Sequence, residues 1–278
     1  MFDNVLSKCK DNYDLCKNNY EQTKKYCRYG DGLALILCSS KGCQECLNID
    51  FNEGPDNYDC YKKMNYYVLK YGSAFISEIY HYLNISKILE PYKGQRINVL
   101  SLGCGFCPDY YALWQYITDN ELGISLSYCG IDKSEYWDST RLNISDIKYQ
   151  KSDLTDPFSF ENCQIIMMNK VFSTIYKHKL HIVFLQNLEA AINTMDKNSV
   201  LIFNDVNSVY MGRDVFSRCI DPLFEGRIRK FYTDNPEYKG DGTWEHIQDD
   251  SIICPITNIS GIDVLQKVRQ SVFFEYRK

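Results

Sequence analysis

The sequence contains Ile97-Asn98-Val99-Leu100-Ser101-Leu102-Gly103-Cys104-Gly105-Phe106-Cys107-Pro108-Asp109, an apolar run followed by a glycine turn and the beginning of a helical pattern. Gly103 and Gly105 allow the backbone to turn sharply and leave room for a ligand against the main chain. Pro108 suits the first turn of a helix. The pattern predicts a ligand site at the carboxyl end of a strand, and a tight structural turn is the alternative.

Downstream of Pro91, short apolar runs alternate with helical patterns. This alternation is typical of βαβ units around a parallel sheet and predicts an α/β, doubly wound fold. The predicted strands are Ile97–Leu102, Ser125–Ile131, Ile147–Gln150, Gln164–Met168 and Val200–Phe203, with further candidates at Ser251–Ile256 and Val264–Tyr276 after a polar loop at Asp234–Asp250.

The first 90 residues show helical spacing instead of alternating strand and helix patterns. Apolar residues three and four apart predict one long helix over Phe2–Cys27, which packs either within its own chain or in a homodimer or larger complex. A second amphipathic helix is predicted over Tyr61–Leu83. We therefore expect a helical, cysteine-rich module at 1–90 and an α/β domain at 91–278.

Four of the thirteen cysteines, Cys38, Cys43, Cys46 and Cys60, follow a pattern with gaps of four, two and thirteen residues. The two-residue gap lets both thiolates reach one ion, and two further sulfurs would complete a tetrahedron. Zinc fits this pattern best, an iron–sulfur cluster could use the same ligands, and ordinary buried thiols are the remaining alternative.

Composition restricts the class of protein. No apolar run approaches the roughly 18 residues that a membrane span needs, so no membrane partner is expected. The polar N-terminus lacks the pattern of a secretion signal, in which charged residues precede an apolar stretch, so we expect a cytoplasmic protein. The net charge of −5 argues against nucleic-acid binding by bulk electrostatics. Binding through a local basic groove is the alternative that this charge does not exclude.

From about Asn84 to the C-terminus, the sequence resembles the class I S-adenosylmethionine (SAM)-dependent methyltransferase family, whose first motif is a strand ending in a turn with Gly-Cys-Gly at its centre. A nicotinamide-binding turn would need a third glycine where this chain has Pro108, which disfavours a dehydrogenase. The resemblance implies SAM as cofactor and a mostly parallel, seven-stranded sheet.

The resemblance also implies roles for residues at strand ends. Asp132, closing the second strand, would accept hydrogen bonds from the ribose hydroxyls, and Asp153 would lie near the adenine unless it serves only as a helix cap. The fourth strand would deliver Asn169 and Lys170 towards the methyl group. The residues expected around the cofactor are Leu102, Gly103, Cys104, Gly105, Asp109, Asp132, Lys133, Asp153, Leu154, Asn169 and Lys170.

Two positions depart from the family pattern. Ser101 replaces the acid that usually receives the amino group of SAM, so we expect Asp109 to take over that contact. Cys107 replaces the third glycine of the turn and would narrow the space near the methionine moiety.

Methyl transfer needs alignment of the reactants, and a base only when the acceptor must lose a proton. Asp205 and Asn169 are the catalytic candidates, whereas His178 and His181 fit solvated surface residues better. The sequence does not distinguish a small molecule, a protein or a nucleic acid as the methyl acceptor. A catalytically silent SAM-binding protein, acting as a sensor or scaffold, is the rival hypothesis.

Overall fold

A computed structural model describes residues 1–18, 60–233, 242–248, 251–253, 259, 261–268 and 270–278. In this part of the chain the strands are β1 (Arg96–Leu102), β2 (Ser125–Asp132), β3 (Ile147–Lys151), β4 (Ile165–Asn169), β5 (Val200–Val206), β6 (Ile228–Tyr232), β7 (Glu245–His246) and β8 (Ser271–Arg277). The α-helices are α1 (Phe2–Asn18), α2 (Tyr61–Ser86), α3 (Pro108–Asp119), α4 (Phe172–Lys177), α5 (His181–Asn193) and α6 (Arg213–Ile220). Short 3₁₀ helices lie at Glu90–Tyr92, Glu135–Thr140, Val209–Met211 and Asp221–Leu223.

All eight strands belong to one sheet with the order β3-β2-β1-β4-β5-β8-β6-β7. The first five strands are parallel, and β8 is antiparallel to both of its neighbours, β5 and β6. Leu102 at the end of β1 pairs with Ile131 of β2 on one side and Met168 of β4 on the other. The chain order reverses between β1 and β4, which opens a crevice at their carboxyl ends.

Helices cover both faces of the sheet, and the sheet separates the hydrophobic core into two parts. Alternate residues of one strand serve opposite faces, so Ile202 joins the core beneath α1, α2 and α3, whereas Phe203 joins the core beneath α4, α5 and α6. The predicted α/β fold with a mostly parallel sheet is confirmed. The predicted number of seven strands is wrong, because the sheet has eight.

The five strands predicted between Ile97 and Phe203 are present, and no strand end is shifted by more than three residues. Neither β6 nor β7 was expected. In β6, Arg229 and Lys230 interrupt the apolar pattern, and their charges are met by Glu245 at 2.9 Å and Asp221 at 2.5 Å. β7 has only two residues and lies in the stretch expected to be a polar loop.

The C-terminal strand predictions need correction. The predicted strand Val264–Tyr276 is present only from Ser271 onwards, and residues 264–268 are not in a strand. Of the predicted strand Ser251–Ile256, residues 251–253 are not in a strand and the rest lies outside the described residues.

The helices that precede the sheet share its core. α1 buries Phe2, Val5 and Leu6 in the same cluster as α2 and β1. The ring of Phe2 approaches α2 at Gly72, where an added Cβ would stand 2.7 Å from it. α1 therefore packs within its own chain, and residues 19–27 of the predicted helix lie outside the described residues. The division at residue 90 and a dimer through the first helix stay predictions.

None of the described helices combines the length and the apolar character that a membrane span requires.

Candidate functional site

A cavity of about 360 Å³ opens at the carboxyl ends of β1 to β5, with one side covered by α2. This volume lies within the range of small-molecule sites. The polar and glycine residues that line it are Glu78, Gly103, Gly105, Asp132, Lys133, Ser134, Glu135, Lys151, Ser152, Asp153, Thr155, Asn169, Lys170, Thr174, His178 and Asn204. Cys104 and Leu154 also line it, so most of the residues expected around a cofactor share one cavity.

The glycine turn after β1 forms one wall of the cavity. Gly103 has a φ of +64°, and a Cβ added there would stand 2.4 Å from a methyl carbon of Val171. Gly105 has a φ of +51° and would place a Cβ against the Trp137 ring at 3.5 Å. Both positions adopt the left-handed conformation that favours glycine, and close packing makes Gly103 the stricter of the two.

Cys107 at the end of the turn also has a positive φ, +65°, and is fully buried at the beginning of α3. Leu102 is likewise fully buried. Neither side chain is on the cavity wall, so these two residues shape the turn from within the core.

Asp132 connects the second strand to the turn. One carboxylate oxygen accepts a hydrogen bond from the N–H of Gly105 at 2.9 Å, and the other accepts one from the N–H of Ser134 at 2.9 Å. Burial raises the pKa of Asp132, while these two hydrogen bonds oppose the rise. Because a carboxylate offers about four acceptor positions, two remain for a ligand with paired hydroxyls.

At the end of β3, one oxygen of Asp153 accepts hydrogen bonds from the N–H and the hydroxyl of Thr155, both at 2.9 Å. Burial acts to raise the pKa of Asp153, but these hydrogen bonds leave it below its usual value. Thr155 lies in a turn, so this contact organises a loop rather than a helix terminus. Asp153 also lines the cavity.

Asn169 at the end of β4 is the clearest indication of a polar ligand site. Its amide oxygen and nitrogen are both shielded from water, and neither has a hydrogen-bond partner among the described residues. An unsatisfied buried polar group costs about 1–3 kcal/mol. A ligand that fills the cavity beside Asn169 could satisfy both atoms.

A buried polar network closes the cavity next to Asn169. Glu78 of α2 is 5% exposed and lies 3.0 Å from the ammonium of Lys170. Its carboxylate also accepts hydrogen bonds from the amide of Asn204 at 2.9 Å and the hydroxyl of Ser271 at 2.7 Å. Lys170 in turn donates to Asn204 at 3.2 Å and to Ser271. Glu78, Asn204 and Ser271 were not identified from the sequence.

Asp205 does not reach this cavity. The side chains of successive strand residues point to opposite faces, so Asp205 lies on the face opposite Asn204. Its carboxylate accepts hydrogen bonds from the N–H of Ser173 in the first turn of α4, at 2.9 Å, and of Val206, at 2.7 Å. The structure thus gives Asp205 a helix-capping contact. His178 lines the cavity, whereas the ring of His181 packs against that of Tyr176.

Asp109 is fully buried behind the turn. One carboxylate oxygen accepts a hydrogen bond from the hydroxyl of Tyr128 at 2.9 Å. Ser101 is also fully buried. Neither residue lines the cavity, so the structure does not bring Asp109 to the place where a ligand amino group would need it.

Burial raises the pKa of Asp109 from 3.8 to about 6, which makes stability depend on pH. Above pH 4 the folded protein retains a proton on Asp109 that the unfolded chain releases. The stability that depends on this proton is therefore fully present below about pH 4 and is lost as the pH rises through about 6. We expect Asp109→Asn, which stays neutral, to gain about 3 kcal/mol in unfolding free energy relative to wild type between pH 4 and pH 8. Urea denaturation of both proteins at the two pH values measures the change, and a constant difference would contradict it.

Arg141 holds the glycine turn but does not line the cavity. Its Nε donates to the carbonyl oxygen of Gly105 at 2.8 Å, and its guanidinium lies 4.4 Å from the centre of the Tyr149 ring. It also pairs with Asp138 at 3.0 Å. The backbone oxygen of Arg141 accepts a hydrogen bond from Lys8 of α1, so the first helix supports the same structure.

We expect Arg141→Met to lower the unfolding free energy by about 1–3 kcal/mol, because the Gly105 carbonyl would lose its charged donor. Arg218→Met is the matched control, since Arg218 is exposed and donates to the Asp214 carbonyl of its own helix at 3.2 Å. The control should change stability by no more than about 0.5 kcal/mol. Chemical denaturation measures both, and equal effects would show that Arg141 does not support the turn.

The predicted zinc site is largely outside the described residues, because Cys38, Cys43 and Cys46 all fall there. Cys60 is buried immediately before α2. Within the described part of the chain, no group of three or more histidine, cysteine, aspartate or glutamate residues could hold a metal ion. The zinc site stays a prediction.

No protein-family model matches the sequence, and no curated protein sequence matches it. Solved structures with similarity include the plantazolicin methyltransferase BpumL (13% identity, 94% of this chain, 99% of that chain, TM-score 0.45). A SAM-dependent methyltransferase from Archaeoglobus fulgidus is similar at 12% identity over 73% of this chain and 94% of that chain, with a TM-score of 0.44. The citrinin polyketide synthase CMeT domain is similar at 12% identity, with a TM-score of 0.45. This chain covers 59% of the length of the CMeT structure, with 89% of its own residues aligned. Similarity at this level carries no conclusion about activity.

Proposed function

We propose that the chain binds SAM in the cavity at the carboxyl ends of β1 to β4 and transfers its methyl group to an acceptor. The observation that supports this most is the combination of two features on one cavity. The Gly103–Gly105 turn is tied to Asp132 by a 2.9 Å hydrogen bond, and the buried amide of Asn169 has no hydrogen-bond partner in the described part of the chain.

The chemical groups of SAM fit these residues. The two acceptor positions left on Asp132 suit the two ribose hydroxyls, and the turn at Gly103 and Gly105 leaves room for the methionine part against the backbone. Asp153 and Leu154, just after β3, line the same cavity, and we assign them to the adenine. Asn169 would supply both a donor and an acceptor to polar groups of the ligand.

When bound, SAM supplies a methyl group on a sulfonium: the acceptor's lone pair forms the new bond, the carbon–sulfur electron pair stays on sulfur, and an acceptor O–H or N–H releases its proton. The chain contributes orientation and exclusion of water. Glu78 and Lys170 hold each other at 3.0 Å beside Asn169, so their charges are fixed at the cavity wall. Such fixed charges orient an acceptor without the cost of reorganising solvent.

The test compares binding and turnover in one preparation of the full chain. SAM affinity is measured by calorimetry, and formation of S-adenosylhomocysteine (SAH) is followed by chromatography with pools of small-molecule, protein and nucleic-acid acceptors. We expect saturable SAM binding and SAH formation that depends on one acceptor pool. Absence of SAM binding by the folded protein would contradict the proposal.

One observation favours a catalytically silent SAM-binding protein as the second candidate. Both oxygens of Glu78 already accept hydrogen bonds or an ion pair from Lys170, Asn204 and Ser271, so the buried acid beside the cavity has few positions left to contact an acceptor. Tight SAM binding with no SAH formation across all acceptor pools would support this candidate. An acceptor that needs no deprotonation would remove the objection.

The zinc hypothesis for Cys38, Cys43, Cys46 and Cys60 rests on their spacing alone. A structural zinc would tie the segment between the first helix and α2 into a fixed shape. Elemental analysis of the purified full chain tests it, with one zinc ion per chain as the expected result. A zinc content near zero in protein prepared without chelators would exclude the site.

A further inference from the structure

Exposed apolar side chains are concentrated at one place in the structure. Single exposed apolar residues are ordinary, whereas several of them side by side mark an interaction surface. Within the described part of the chain, six of the seven exposed large apolar side chains fall in two short segments, at the beginning of α5 and in the 3₁₀ helix after β5. The exposed fraction reaches 62% for Ile182 and 88% for Tyr210. We call this set the apolar rim, which consists of Leu180, Ile182, Val183, Val209, Tyr210 and Met211.

A side chain of α4 joins the two segments of the apolar rim. Gly212 directly follows Met211, and a Cβ added at Gly212 would stand 2.5 Å from a ring carbon of Tyr176. The same Tyr176 ring packs against the ring of His181, with centroids 4.6 Å apart. His181 is the first residue of α5 and the neighbour of Ile182. Both segments therefore lie against Tyr176 and form one surface.

The apolar rim borders the cavity at the carboxyl ends of the parallel strands. Leu180 lines that cavity. Met211 lines a second cavity of about 580 Å³, which shares Lys170 and Thr174 with the first. The other members of the rim line neither cavity. A ligand that contacts the whole rim must therefore extend well beyond the first cavity, whose volume is about 360 Å³.

The two segments that carry the rim are basic in sequence. Residues 177–183 and 206–213 include three lysine or arginine residues and no aspartate or glutamate. Lys179 is exposed directly before the rim. The acids that flank the second segment are Asp205, which is buried, and Asp214, which pairs with the arginine before it at 2.7 Å. In a chain with a net charge of −5, this is a local basic surface that attracts acidic groups.

This charge favours one kind of occupant over two others. A second copy of the chain in a two-fold dimer would bring like charges together, because both copies present the same surface. An anionic membrane attracts clusters of about four to eight basic residues, more than the rim segments contain. An acidic polypeptide with large apolar side chains complements both the charge and the apolar character of the surface.

We propose that the apolar rim docks the methyl acceptor and that this acceptor is a polypeptide segment in which large apolar side chains are interspersed with acidic residues. The apolar side chains would pack on the rim, and the acidic residues would lie near Lys179. The side chain that receives the methyl group would enter the first cavity past Leu180, towards Asn169. The role as methyl acceptor rests on the proposed function, whereas docking of such a segment rests on the rim alone.

The experiment measures binding of three fluorescein-labelled peptides to the full chain by fluorescence anisotropy. All three have about 12 residues. The first alternates aspartate with leucine or phenylalanine, the second has lysine in place of aspartate, and the third has serine in place of the apolar residues. We expect the first peptide to bind at least about tenfold more tightly than either of the others, because each of those lacks one feature that the rim recognises. The net charge of −5 alone would favour the second peptide.

Two double variants at the most exposed positions locate the binding site. Ile182→Ser with Tyr210→Ser should weaken binding of the first peptide about tenfold. Ile182→Val with Tyr210→Phe keeps the surface apolar and should bind this peptide like wild type. SAH affinity should be unchanged in both, because neither residue lines either cavity. Both side chains are largely exposed, so little stability should be lost, and thermal denaturation checks this.

A charge reversal tests the acidic part of the partner. Lys179→Glu should weaken binding of the first peptide about fivefold at low salt. Lys148→Glu makes the same change in net charge at an exposed lysine of β3 and should alter the affinity by less than about twofold. Equal effects of the two reversals would show that the acidic residues do not lie near the rim.

Equal affinities for the three peptides, no binding of the first peptide, or unchanged binding by the serine double variant would overturn the proposal. Two further results would assign the rim to another occupant and overturn it as well. One is light scattering that shows a wild-type dimer and a monomeric serine variant. The other is binding to phosphatidylserine vesicles that the serine variant loses.

Failure of the proposed function gives a different result. If SAH does not bind but the first peptide binds in the expected pattern, the docking surface stands and the methyltransferase proposal fails. If SAH binds but the first peptide does not, SAM binding stands and the docking surface is wrong.

Discussion

Gly103→Ala should lower the unfolding free energy by about 2–4 kcal/mol and weaken SAH binding at least about tenfold. Two effects combine at this position. The φ of +64° is unfavourable for any residue with a Cβ, and the added Cβ would stand 2.4 Å and 2.9 Å from two carbons of Val171. The second of these is the Val171 Cβ, which can move only with the backbone. Relief of the contact would shift the turn or the end of β4, and both line the cavity.

Gly94→Ala is the matched control. Gly94 has a φ of +74°, but a Cβ added there meets no atom within 4 Å. It therefore isolates the cost of the left-handed conformation, about 1 kcal/mol. SAH affinity should not change, because Gly94 does not line the cavity. Urea denaturation and calorimetry measure the pair, and equal losses of stability and unchanged SAH affinity in both would show that the turn does not need its close packing.

Asp132→Asn should weaken SAH binding about a hundredfold. The substitution removes the charge that, in the proposed complex, strengthens two hydrogen bonds to ribose hydroxyls. It also replaces one accepting oxygen by a donating NH₂ group, which would face the N–H of either Gly105 or Ser134. The loss of affinity thus has a direct part and a part that acts through the glycine turn.

Glu135→Gln is the control for charge at the same cavity. Glu135 lines the cavity, but its side chain is 58% exposed and pairs with Lys151 at 2.8 Å on the surface. Exposed ion pairs contribute little, so we expect SAH affinity within about twofold of wild type. Similar losses in the two variants would mean that net charge at the cavity, rather than a contact with Asp132, controls binding.

The sequence predicts the centre of the fold well because its signals there are local. The apolar run before Gly103 and the acid after Ile131 are strand endings that can be recognised within a few residues. Parallel strands then bring their carboxyl ends to one edge, so residues far apart in sequence line one cavity. For this reason Gly103, Gly105, Asp132, Asp153 and Asn169 meet in the structure.

The sequence could not predict contacts made across the chain. Glu78 is a charged residue in a helical pattern, and such a residue is usually exposed on a helix surface. Its partners Lys170, Asn204 and Ser271 lie 92, 126 and 193 residues away in sequence. Only the packing of α2 over the end of the sheet brings Glu78 to them. Arg141 was missed for the same reason, because its partner Gly105 lies 36 residues earlier.

Two sequence-based assignments depended on which face a residue takes. Asp205 and Asn204 are neighbours at the end of β5, and a one-residue difference in position decides which of them points into the cavity. Asn204 lines the cavity, and Asp205 caps α4 instead. Asp109 follows the turn closely in sequence, but the first turn of α3 directs it into the core, where Tyr128 donates to it.

The aromatic residues of α2 show how a pattern can serve two purposes. Tyr67 and Phe75 have the spacing of a buried helix face, and Tyr67 is indeed buried. Both side chains also line the cavity at the carboxyl ends of the parallel strands. Periodicity identifies the face but cannot distinguish a fully packed core from the wall of a ligand site.

A calorimetric titration of the full-length chain with SAH tests the central claim most directly. If the turn at Gly103 and Gly105 and the carboxylate of Asp132 bind an adenosyl ligand, the titration will show saturable one-to-one binding with a dissociation constant below about 100 µM. A folded protein that gives no saturable signal at millimolar SAH would contradict the account.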